Sequence, residues 1–328
     1  EQYFKSEAAG FELPSMIEIG AAYSGRVQEN MTYCVSGSYT NNNLYVDEYH
    51  VGGEYGITLS GVSLFARGGY GVTRVLHRLP ERLLAETAKL HCGFSDLTAL
   101  SAFLRERCGL VSLHGPMVAA DLAAPLDAWT APFFPAMLEG RGPGRLEVPS
   151  AELVVPGRAE GPLVGGCLSL LAALCGTPWD YDYDEALLFL EEVGEEAYRV
   201  DRMLGTLVSS GRWGRLAGII VGSMTRVTFG GSEDPDRLRQ LLCDRLAPLG
   251  VPVALGLPFG HGGANVPLPV GARASWDGEA RTLAVAAFRQ TGARRLTAKA
   301  ARDEEKRDPG GSASDWARWF SDPRNRIG

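Results

Sequence analysis

The chain is 328 residues long, 45% hydrophobic and 22% charged, a composition that fits a soluble globular protein of two domains. Its formal net charge of -7 argues against nucleic acid and anionic membrane as partners, since both call for basic surface, and favours small-molecule chemistry. The six cysteines, Cys34, Cys92, Cys108, Cys167, Cys175 and Cys243, form no CxxC pair and have no zinc or disulfide spacing, so they read as small buried hydrophobes in a reducing compartment. No apolar run approaches the ~18 residues of a membrane helix, and the first 20 residues lack the basic and apolar regions of a signal peptide. The expectation is a cytoplasmic protein.

In chain order, residues 1–66 form a first segment in which short runs rich in Tyr, Val and Ile alternate with polar or small residues. The breaks at Ser24-Gly25, Asn41-Asn42-Asn43, Gly52-Gly53 and Ser60-Gly61 are good turn formers and predict an antiparallel β-meander. Residues 67–138 change to alternating strands and helices. The glycine-dense turn Gly68-Gly69-Tyr70-Gly71 precedes a helix over 72–88 interrupted at Pro80, a buried strand over 89–94, and an amphipathic helix over 96–107 closed by Gly109. A strand over 110–113 and a helix over 127–138 follow. The Gly- and Pro-rich stretch 139–162 reads as a linker. Residues 163–297 form a second α/β unit, with strands over 187–190, 216–222, 251–255 and 283–287 and helices over 168–174, 195–210 and 234–246. Residues 298–328 are charged, then rich in Gly and Ser, and read as a mobile tail.

Three positions carry candidate chemistry. Ser95 stands in Gly93-Phe94-Ser95-Asp96 at the turn between a strand and a helix. A serine hydroxyl is a weak nucleophile at neutral pH, so it needs a base and donors aimed at the developing oxyanion. The free N–H groups of a first helical turn could supply those donors, although Ser is also a common helix cap. Glu191 follows the apolar strand Leu187-Leu188-Phe189-Leu190 and so lies at its carboxyl end, where α/β proteins place ligands and catalytic groups. His261, in Pro258-Phe259-Gly260-His261-Gly262-Gly263-Ala264-Asn265, is held by a loop too rich in glycine to be a packing element. Its side chain is the natural general base for a serine, and a buried carboxylate would fix its tautomer. Alone, each of the last two could equally be a solvated side chain.

Taken in order, Arg67-Gly68-Gly69-Tyr70-Gly71, Gly93-Phe94-Ser95-Asp96, His114-Gly115-Pro116, Leu188-Phe189-Leu190-Glu191 with Tyr198-Arg199-Val200-Asp201-Arg202, and Pro258-Phe259-Gly260-His261 with Asn265 resemble the successive motifs of the LD-carboxypeptidases. That family also includes the microcin C immunity peptidases. The resemblance runs over about residues 67–287 and implies an α/β fold: a Rossmann-like nucleophile domain, here truncated, and a second α/β domain, both preceded by the β-meander. It further implies a Ser-Glu-His triad of Ser95, Glu191 and His261, with oxyanion donors from the N–H groups of Asp96 and of the glycine turn, Gly68 or Gly69. No cofactor and no metal are implied. The implied substrate is a murein tetrapeptide that loses its terminal D-alanine in peptidoglycan recycling, and the implied assembly is a cytoplasmic homodimer.

The chain departs from the family pattern in two places. Cys167 stands where the family usually has asparagine after Gly165-Gly166, and residues 1–66 do not look like the family's opening strands and helices. They weakly resemble strands of an outer-membrane β-barrel, a structure that needs at least about eight of them. A join at Phe65-Ala66-Arg67-Gly68 would make the chain a chimera and could leave the Ser95 strand at a sheet edge. Two rival readings accompany the peptidase: a hydrolase of a peptidyl-nucleotide antibiotic, and an inactive truncated fusion.

Overall fold

The computed structural model describes residues 16–28, 31–42, 48–59, 62–68, 71–79, 81–87, 89–117, 121, 125–140 and 144–288, and up to residue 68 the backbone alone. Gly69 and the tail expected from residue 298 lie outside these residues.

Four strands come first: β1 (Met16–Gln28), β2 (Met31–Asn42), β3 (Glu48–Leu59) and β4 (Val62–Gly68). Each runs antiparallel to the one before. Two of the expected turns, Ser24-Gly25 and Gly52-Gly53, lie inside β1 and β3, where pairing along the whole ladder outweighs a local turn preference.

The predicted helix over 72–88 divides into two single 3-10 turns, Val72–Arg74 and Leu76–Arg78, and α1 (Glu81–Thr87). There follow β5 (Leu90–Cys92), α2 (Leu97–Cys108), β6 (Ser112–His114) and α3 (Thr130–Leu138). Gly109 closes α2 at φ 66, the left-handed C-cap position that favours glycine. Strand β4 pairs in parallel with β5, and β5 in parallel with β6. The Ser95 strand therefore has neighbours on both sides, against the expectation that it could be an edge. The neighbour is a strand that runs across the 66/67 boundary drawn from composition.

The stretch 139–162 is not a linker. It holds β7 (Gly144–Glu147), β8 (Glu152–Val155) and the start of β9 (Arg158–Cys167). The Gly and Pro residues sit among anchors: Leu146, Val148 and Ala151 are buried, and such apolar contacts fix short strands that composition alone hides. After β9 come α4 (Leu168–Leu174), β10 (Leu187–Val193), α5 (Ala197–Ser209), β11 (Gly218–Thr225), β12 (Thr228–Phe229), β13 (Ser232–Glu233), α6 (Pro235–Leu246) and β14 (Val253–Leu255). The last three strands are β15 (Leu268–Val270), β16 (Arg273–Asp277) and β17 (Thr282–Val285).

The strands make a seven-stranded sheet, β1-β2-β3-β4-β5-β6-β15, and an eight-stranded sheet, β7-β17-β16-β9-β10-β11-β14-β8, with β12 and β13 as a separate pair. At the centre of the larger sheet, β9, β10, β11 and β14 are parallel and nearly continuous in buried Leu, Ile, Val and Phe, the pattern of strands covered on both faces. The chain crosses between the sheets in two residues, Gly271 and Ala272, from β15 to β16. There the N–H of Gly271 donates to the carbonyl of Leu163 (2.7 Å) and the N–H of Leu163 to that of Ala272 (2.8 Å).

Candidate active site

Ser95 occupies a left-handed backbone conformation, φ 59, uncommon for a residue with a side chain and frequent where a site stores strain. The turn around it is tight. The N–H of Gly93 bonds the carbonyl of Leu113 (2.9 Å), extending the β5–β6 ladder, while Thr98 N–H bonds the carbonyl of Ser95 (2.9 Å) and opens α2. A β-carbon on Gly93 would collide with Leu97. Ser95 does not cap the helix: the N-cap position is Asp96 and no side chain caps it. The Asp96 carboxylate instead reaches back across the chain, accepting the N–H of Val72 (2.7 Å) and that of Gly71. It thereby ties the end of the glycine turn to the Ser95 turn. Burial raises the pKa of Asp96, and the two backbone bonds oppose the rise.

Glu191 lies near the carboxyl end of β10, beside Cys167 of β9 and next to a register shift against β11. Its side chain is fully buried. Oε2 of Glu191 lies 2.6 Å from Nδ1 of His261 and also accepts the His261 main-chain N–H (3.3 Å). A carboxylate accepts, so the proton of this ring pair belongs on Nδ1, and Nε2 is left to act as a base. Gly260 makes the approach possible. At φ 98 it is in a region that L side chains rarely adopt, and a β-carbon there would stand 2.7 Å from Glu191 Cβ and 2.8 Å from Oε2. The loop is pinned on its other side. Asn265 accepts the Gly260 N–H through Oδ1 (3.2 Å) and donates its own N–H to Thr130 Oγ1 on α3 (3.0 Å), while Thr225 Oγ1 donates to the His261 carbonyl (3.3 Å).

The two halves of the site meet at Phe94, whose ring lies 4.5 Å from the His261 ring, centroid to centroid. This brings the residue preceding Ser95 against that imidazole. Among the described residues no hydrogen bond reaches Ser95 Oγ: the structure joins Glu191 to His261 and brings Phe94, the neighbour of Ser95, against that pair. Gly68 ends β4, opposite Gly53.

Two groups near the site were not assigned a role from sequence. His114, at the end of β6, is buried against Phe94 and Phe189 with Nε2 3.9 Å from Glu191 Oε1. The only sequence signal was the His-Gly-Pro motif that it opens. Cys167 is engaged by the next carboxylate along β10, its thiol donating to the buried Glu192 side chain (3.3 Å), which also accepts the N–H groups of Ser169 (2.6 Å) and Val193 (2.8 Å). Burial and the charges of Glu191 and Glu192 push this thiol up, and burial pushes Cys92 up to about 12. Neither is a nucleophile near neutral pH.

The chain matches the family model of the LD-carboxypeptidase N-terminal domain over residues 61–115 and that of the C-terminal domain over residues 160–276. A Streptomyces coelicolor protein named as a carboxypeptidase is 42% identical over 222 residues, 67% of this chain and 70% of the relative. The murein tetrapeptide carboxypeptidase of Pseudomonas aeruginosa is 34% identical over 227 residues, 65% of this chain and 71% of the relative. The crystal structure of muramoyltetrapeptide carboxypeptidase from Oxalobacter formigenes superposes with a TM-score of 0.60 at 34% identity, covering 70% of this chain and 81% of that one.

Proposed function

Because the chain belongs to the LD-carboxypeptidase family, we propose that it is a serine peptidase that hydrolyses an L,D amide bond and releases the terminal D-alanine of a murein tetrapeptide in peptidoglycan recycling. The observation that carries the reading is the 2.6 Å contact between Glu191 and Nδ1 of His261, with Phe94 holding the His261 ring beside the Ser95 turn. The names of the relatives from Pseudomonas aeruginosa and Oxalobacter formigenes support the substrate.

In this mechanism His261 Nε2 takes the proton of Ser95 Oγ as the hydroxyl attacks the carbonyl carbon of the scissile amide. Glu191 holds the imidazole in the correct tautomer and stabilises the imidazolium that forms. The backbone N–H of Asp96, which makes no hydrogen bond among the described residues, and one from the glycine turn at Gly68 or Gly69 receive the oxyanion. The imidazolium then protonates the leaving amine of D-alanine. Water, deprotonated by His261, cleaves the acyl-enzyme and restores Ser95.

Ser95→Ala is expected to lower D-alanine release from a tetrapeptide by at least about a thousandfold with an unchanged melting temperature. A variant that keeps wild-type turnover would refute the nucleophile. Running a peptidyl-nucleotide substrate in parallel separates the tetrapeptide reading from that of an antibiotic hydrolase. Sedimentation velocity tests the homodimer, and cell fractionation tests the cytoplasmic location.

A further inference from the structure

Glu191 has two carboxylate oxygens, and His261 uses one of them. Oε2 accepts both N–H groups of His261, whereas Oε1 is buried with no hydrogen-bond partner. The group facing it is Nε2 of His114, also buried with no partner, 3.9 Å away. The two side chains are 2% and 0% exposed, so bulk water serves neither. A buried carboxylate oxygen without a donor costs free energy, and native structures leave few such atoms. The rings of Phe94 and Phe189, at 6.0 and 5.0 Å, confine the His114 ring edge-on. Burial, with the neighbouring His261, lowers the pKa of His114 to about 3, so the ring is neutral and carries one proton. A lone pair on Nε2 would repel the carboxylate across the gap, while a proton there is attracted to it.

We infer that His114 is a positioning residue for the triad: its Nε2–H donates to Oε1 of Glu191, the 3.9 Å gap closing as His261 becomes an imidazolium. Glu191 is then held at both oxygens, one by each histidine, and cannot rotate away from the base. The inference rests on the triad reading above. The titratable groups facing Glu191 are His261 from the loop after β14, His114 from β6 and the Cys167 thiol from β9.

Full-length His114→Gln, His114→Asn and His114→Leu test it. A Gln amide can present an N–H near the Nε2 position, an Asn amide only near Nδ1, and Leu presents none. On an L,D tetrapeptide, His114→Gln is expected to keep kcat within about threefold of wild type, and the other two to lose about tenfold to a hundredfold in kcat at nearly constant KM, the loss of one charge-assisted hydrogen bond. In those two, the acid limb of the kcat/KM profile should move to higher pH, because a carboxylate that has lost a donor is the stronger base toward His261. Proton NMR of the substrate-free protein reads the same bond without turnover. The downfield resonance between Glu191 and His261 should move in the Asn and Leu variants and stay in place with Gln.

Three folded variants with the wild-type profile and resonance would overturn the inference, as would equal losses in Gln and Leu. If His114→Leu fails to fold, the contrast of Gln with Asn decides. If the wild type cleaves no L,D peptide while the resonance shifts as expected, the proposed function fails and the role of His114 stands.

Discussion

Burial gives His114 a second, measurable signature at the level of the single residue. Its folded pKa is about 3 against an ordinary 6.5, so between those values an unfolded chain takes up a proton that the folded chain refuses. The stability that depends on a neutral His114 is complete above pH 6.5 and is lost as pH falls toward 3, by up to about 1.4 kcal/mol per pH unit. Urea unfolding at pH 7 and pH 5 is expected to show a larger fall in midpoint for the wild type than for His114→Gln, which has no titrating group there. Parallel falls would assign the pH dependence to other residues. The residues proposed as catalytic were legible as candidates in sequence because they stand at strand ends: Ser95 after β5, Glu191 near the end of β10 and His261 after β14. The Asp96 carboxylate was not, because its partners Val72 and Gly71 lie more than twenty positions earlier in the chain.

At the scale of elements, the helix that follows Ser95 is fastened to the sheet that carries Glu191. Thr98 Oγ1 on α2 accepts the main-chain N–H of Cys167 at the end of β9 (3.1 Å). Gly166, at φ 144, leaves room for that contact, since a β-carbon there would run into the Thr98 side chain. Gly166→Ala is expected to cost about 1–3 kcal/mol by overpacking, measured by chemical denaturation, and to lower kcat as α2 moves off β9. An unchanged midpoint with full activity would mean that the helix has slack the contact does not use. The long elements of the second half could be read from apolar runs. Helix α6 begins where Asp234 accepts the N–H of Arg237, an N-cap bond. The short strands could not. β15 is three residues with a proline at its middle, and its pairing with β6 is a contact across more than 150 residues of chain. β16 did carry a period-two signal, with Ala274 and Trp276 buried and alternating with Arg273, Ser275 and Asp277, but a run so short competes poorly with its turn-rich flanks.

Across the whole molecule, the seven-stranded sheet does not stop at the first family motif. β1, β2 and β3 continue it outward from β4 as an antiparallel ladder. Without them the outer edge of β4 would present unpaired N–H and carbonyl groups. A chain that starts at residue 60 is therefore expected to aggregate or to melt well below the full chain, as read by light scattering and calorimetry. Equal solubility and melting would show that the meander is dispensable to the peptidase sheets. Among the described residues no helix is long and apolar enough to cross a membrane.

The contacts between the two halves also bear on how this chain could exchange parts with its relatives. Ser95 and its helix lie before residue 115, while Glu191 and His261 lie after residue 160, the spans that the two family models match separately. Among the described residues, the contacts that bind the blocks near the site include Thr98 to Cys167, Thr130 to Asn265, and the Phe94 ring on His261, beside the β6–β15 pairing and the approach of His114 to Glu191. A crossover between residues 115 and 130 would separate the partners of the first and third links and keep Thr130 with Asn265. Hybrids made there should therefore keep activity when both parents conserve a small residue at position 166, a hydroxyl at 98 and an aromatic ring at 94, and lose it when they differ.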